Sequence, residues 1–122
     1  MQLRLKEQNG KYWIEGSAGQ TLLRDANDVS KLVEACFNYR TKRVLLYAEN
    51  LTDSFFDLSS LEAGEILQKL RNYNIRLSVV LIPNAKELSS AFRDLMVEEN
   101  RNSYFRLFEN LQDAEAWLLE DE

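Results

Sequence analysis

With 122 residues, 45% of them hydrophobic and 29% charged, the chain has the size and balance of one folded domain rather than of a disordered segment. No apolar run reaches bilayer length and the first ten residues carry no secretory apolar region, so the expected setting is the cytoplasm, away from any membrane. A net charge of −5, no histidine and a single cysteine exclude imidazole catalysis, multi-thiolate metal sites and an internal disulfide, and make nucleic acid a poor partner.

The chain opens on a hairpin. Leu3 and Leu5 alternate with polar neighbours, Asn9-Gly10 is a strong two-residue turn signal, and Tyr12-Trp13-Ile14 reads as the return strand. Gly16 to Gly19 is a loop, and Thr21-Leu22-Leu23 a short extended piece. Asp25 is the expected N-cap of a helix reaching Tyr39, with an apolar stripe at Val29, Leu32, Val33, Cys36 and Phe37. Cys36 in that stripe reads as a buried structural thiol. Arg40, Lys42 and Arg43 are the nearest approach to a basic cluster, and they suit the negative end of the helix dipole.

Val44 to Ala48 is a continuous apolar run of the kind found in a strand covered on both faces. A carboxylate-rich loop follows, then a helix from Ser60 to Tyr73 with Ala63, Ile66, Leu67 and Leu70 at core spacing. Ile75 to Ile82 is the second interior strand, closed by Pro83, the one proline. Asn84 with Glu87 predicts a third helix carrying Leu88, Ala91, Phe92, Leu95 and Met96 inward. Tyr104 to Phe108 is a last strand, and Asn110 caps a final helix whose inward residues are Leu111, Ala114, Trp117 and Leu118. The order ββαβαβαβα predicts a single α/β domain with a mixed sheet, a parallel centre and helices packed on it.

The phrase Phe55-Phe56-Asp57-Leu58, followed by Gly64-Glu65-Ile66-Leu67-Gln68-Lys69 and Asn72-Tyr73, resembles DUF4180, a family of small bacterial proteins of unknown function, over essentially the whole chain. The element order at this size is also similar to the STAS, or anti-sigma-factor-antagonist, fold. The STAS likeness implies a protein that works by binding other proteins, with a serine at a helix start phosphorylated to switch partners. Ser59 or Ser60 is the counterpart by position.

Read from chemistry alone, Ser59 with Glu62 fits a capping box, while a phosphate on Ser59 or Ser60 would meet unpaired N–H groups and the positive helix end. Glu49, Asp53 and Asp57 follow an interior strand, where ligands of open α/β sheets tend to bind, and three carboxylates suit a hard cation. Lys69 is a candidate anion contact. Gly64, inside a helix, predicts close packing against the sheet or a second subunit. Phe55-Phe56 reads as a hydrophobic staple or an exposed partner-binding patch, and Tyr73 is expected to pack under the next strand.

Two functions compete. The first is a non-catalytic regulatory or protein-interaction module of STAS-like type, with another protein as partner, no cofactor, and an edge strand able to support a homodimer. The second is a small-ligand or divalent-metal-binding domain, or a weak hydrolase, using Glu49, Asp53 and Asp57. No metal site is assigned.

Overall fold

The computed structural model describes residues 3–17, 19–24, 27–56, 62–81, 94 and 104–120. Strand β1 (Leu3–Gln8) returns as β2 (Lys11–Gly16) in antiparallel register, Gln8 opposite Lys11. Between them Asn9 and Gly10 take φ of 54° and 80°, the left-handed pair that a type I′ turn requires. Helix α1 (Asp28–Tyr39), strand β3 (Arg43–Tyr47), helix α2 (Glu62–Asn72), strands β4 (Arg76–Val80) and β5 (Phe105–Phe108), and helix α3 (Leu111–Leu118) follow.

The strands lie in the order β1-β2-β3-β4-β5, and β2 to β5 run parallel. The mixed sheet with a parallel centre is therefore what the chain forms. Apart from Asp94, which is helical, the helix expected from Asn84 lies outside the described residues. Among those described, no helix is long and apolar enough to cross a membrane.

Strand alternation divides the interior into two layers. Ile14, Val44, Leu46, Leu77, Val79 and Phe105 face α1 and α2, joining Val29, Leu32, Cys36, Ile66 and Leu70 in the larger core. Trp13, Leu45 and Val80 face the other way, against Ala114, Trp117 and Leu118 of α3. Consecutive strands in spatial order, with α1 and α2 on one face, require two crossovers of the same hand. Helix α3 then turns back onto the opposite face. Its fit depends on a serine: Ser78 Oγ, fully buried in β4, donates to the Ala114 carbonyl at 3.2 Å. Asn110 caps α3 as expected, its Oδ1 accepting from the Asp113 N–H at 2.8 Å.

Several side chains go elsewhere than the sequence suggests. Phe37 is 83% exposed, because it lies roughly 90° round the helix from the centre of the stripe, beyond half-buried Val33. Tyr73 follows the end of α2 and is 56% exposed rather than packed under a strand. Leu111, in the first turn of α3, is partly exposed. A Cβ added at Gly64 would meet nothing within 4 Å, so close helix-to-sheet packing does not explain that glycine. Phe55 and Phe56 are both fully buried, at 5.3 Å edge-to-face, with Phe55 6.0 Å from Phe105; they are core, not a partner-binding patch.

Helix α1 starts at Asp28, and Asp25 lies outside the described residues. Asp28 is 4% exposed, and its Oδ2 accepts from the Arg24 N–H at 2.9 Å and from Arg24 Nε at 3.0 Å. The Arg24 side-chain bond, ahead of burial acting the other way, holds this carboxyl below its ordinary value of 3.8. A depressed carboxyl contributes stability above the unfolded value and loses it as pH falls through the folded one. Asp28→Asn is therefore expected to cost about 1.5 kcal/mol at neutral pH, the lower range for hydrogen bonds to a charged group because Arg24 is exposed. Urea unfolding should show that gap closing in strongly acidic buffer. A gap of the same size at both pH values would remove the ion pair as its source.

Candidate functional site

The loop after β3, at the carboxyl ends of the parallel strands, is built around an asparagine. Residues Ala48–Asn50 and Asp53–Phe56 form two 3-10 turns, and Leu51 between them bridges in parallel to Leu23. Asn50 is fully buried. Its Nδ2 donates to the carbonyls of Ser17 at 2.8 Å and Gln20 at 2.7 Å, while its Oδ1 accepts from the Tyr47 N–H at 2.7 Å. Its own carbonyl accepts from the N–H groups of Leu22 and Leu23. One side chain thus ties β3 to the segment after β2. Gly16 makes room for it, since a Cβ there would stand 2.5 Å from Asn50 Oδ1.

The predicted site residues are not drawn together by what is described. Glu49 is exposed next to Asn50. Asp53 begins the second 3-10 turn, and Asp57, Ser59 and Ser60 lie outside the described residues. Lys69 is in the last turn of α2. That helix runs back against the strand direction, so Lys69 sits toward the end of the sheet where β4 begins, away from Glu49. Among the described residues no three of Asp, Glu and Cys are grouped as metal ligands would be.

The opposite end of the sheet holds the more developed surface. Helices α1 and α2 close in the same way: Arg40 and Asn74 take left-handed φ of 55° and 58°. The Thr41 N–H returns to the Cys36 carbonyl and the Ile75 N–H to the Leu70 carbonyl, both at 3.0 Å. This double Schellman closure turns each chain directly into β3 or β4. It leaves a groove of about 750 Å³ between the two helix ends. Val33, Cys36 and Ile75 contribute its buried or half-buried lining, Phe37 and Tyr73 are its exposed walls, and Arg40 and Lys42 stand at its edge. Burial alone pushes the Cys36 thiol up to about 12, which makes it lining and not a nucleophile.

Lys42 also borders a second, polar cleft of about 410 Å³, shared with Arg43, Asn74, Arg76, Tyr104 and Glu120. Arg76 is only 5% exposed. Its Nη2 donates to the Trp117 carbonyl at 2.6 Å, its guanidinium lies 4.0 Å from the centre of the Trp117 ring, and Glu120 is 3.6 Å away. The sequence signal for it is slight: one arginine inside an apolar strand, facing the α3 side.

A family model described as "Domain of unknown function (DUF4180)" matches residues 8–118. The chain belongs to the DUF4180 family. No curated protein and no solved structure matches it. The matched stretch runs from the end of β1 through α3, so the DUF4180 domain contains Asn50, Arg76 and every described residue of the groove.

Proposed function

We propose that this DUF4180 domain is a non-catalytic regulatory module of STAS-like type that works by binding another protein. The observation that carries the reading is the groove between the closing turns of α1 and α2. Phe37 and Tyr73 stand 83% and 56% exposed beside an apolar lining, and large apolar side chains grouped in solvent mark contact surfaces more often than catalytic ones. The succession of two strands, helix, strand, helix and strand that opens the chain agrees with the STAS order. The surface differs from the Phe55-Phe56 patch that the sequence offers as one alternative, because both rings are core. Ser59 and Ser60 precede α2 in the sequence, whereas the groove lies by the far end of that helix, about 16 Å from its first residue at 1.5 Å per residue.

Affinity capture from a lysate of the source cells tests the reading with three forms: the native chain, Phe37→Asp/Tyr73→Asp, and Ser59→Asp/Ser60→Asp. Both groove positions are exposed, so that variant should keep its unfolding temperature. One protein held by the native chain and lost by the groove variant is the expected result. Its additional loss from the serine variant would support the phospho-switch. Retention by the groove variant, or no specific capture at all, would overturn the proposal.

A further inference from the structure

We infer that the segment this groove accepts is an acidic stretch of polypeptide carrying one bulky apolar side chain; the inference rests on the interaction reading above. The apolar lining and the cationic edge are continuous, because Lys42 belongs to both the groove and the adjoining polar cleft. Arg40 stands beside it at the groove, and Arg43 and Arg76 continue the positive side into the cleft. Against these four cations the described lining offers one carboxylate, Glu120, already 3.6 Å from Arg76. Among the described residues no ion pair engages Arg40, Lys42 or Arg43.

The setting sharpens the choice of occupant. The chain as a whole carries −5, so its net field opposes an acidic partner, and this local group of cations orients such a partner on this end of the sheet. The walls are mostly in solvent, whereas a small-molecule site encloses most of its ligand, so the occupant is a segment of a larger chain with one face left wet. The apolar side chain takes the space over Val33, Cys36 and Ile75, between Phe37 and Tyr73. Its acidic neighbours meet Arg40 and Lys42.

The test is selection of displayed random peptides on the native protein, followed by fluorescence anisotropy of the best synthetic peptide at low and high salt. Selected peptides should share acidic residues flanking one Leu, Phe or Trp. Binding should fall about tenfold in Arg40→Glu/Lys42→Glu, the scale of two partly screened charge pairs turned repulsive, and weaken with salt. A Phe37→Ala variant, confirmed folded by its unfolding temperature, should lose binding by a similar factor. A neutral or basic consensus, or binding unchanged in the charge variant, would overturn the acidic assignment while leaving a groove-dependent partner standing. No enrichment of any peptide would overturn it too, as would self-association in sedimentation that Phe37→Ala abolishes.

Discussion

Asn50→Asp is expected to destabilise the fold more than Asn50→Ala, even though aspartate keeps the shape of asparagine. The fully buried amide makes three side-chain hydrogen bonds, and at about 1 kcal/mol each their removal by alanine costs about 3 kcal/mol. Aspartate keeps the acceptor for the Tyr47 N–H. It replaces the donor that serves the Ser17 and Gln20 carbonyls with an oxygen, and it brings a charge into a site with no cation among these contacts. Losses of this size are a large share of the 5–15 kcal/mol typical of a domain. Urea midpoints of the native chain and both variants measure it. An aspartate variant as stable as the alanine one would overturn the ranking, since it would mean that the buried charge costs no more than the retained bond from the Tyr47 N–H contributes.

Phe55→Ala is expected to cost about 3–5 kcal/mol, the usual range for deleting a fully buried phenyl ring. The ring packs edge-on against Phe56 and near Phe105, so the cavity would open between the loop after β3 and strand β5. This variant also separates two roles for the Phe55-Phe56 pair. A surface patch would leave the unfolding midpoint alone and weaken only partner binding. A core pair lowers the midpoint, and binding falls only as the folded population falls. An unchanged midpoint would place Phe55 at the surface and contradict the packing described.

The candidate surface was only half legible in advance. Arg40, Lys42 and Arg43 stand out as the chain's basic cluster, and dipole complementation accounts for them until Phe37 and Tyr73 are seen beside them. Periodicity predicts Phe37 inside, since it continues the 29-32-33-36 stripe. It falls on the flank of that stripe, where the width of the neighbouring packing decides burial. The acidic loop stands out in the sequence for its carboxylates, yet the residue that organises the described part of it is the amide between them, Asn50.

What the sequence determined by itself was local or periodic. The Asn9-Gly10 turn that pairs β1 with β2, the Asn110 cap and the apolar runs of β3 and β4 each need only near neighbours or a short repeat. Those signals specify the mixed α/β sheet, and the wording around Phe55 to Tyr73 marks the family. The tertiary structure decided which side of each element is spent. Lys11 meets the end of α3 across 108 residues, Arg76 meets Trp117 across 41, and Asn50 meets Ser17 across 33. Burial of a flank residue, an arginine or an amide is set by what arrives from that distance, and no local period encodes it.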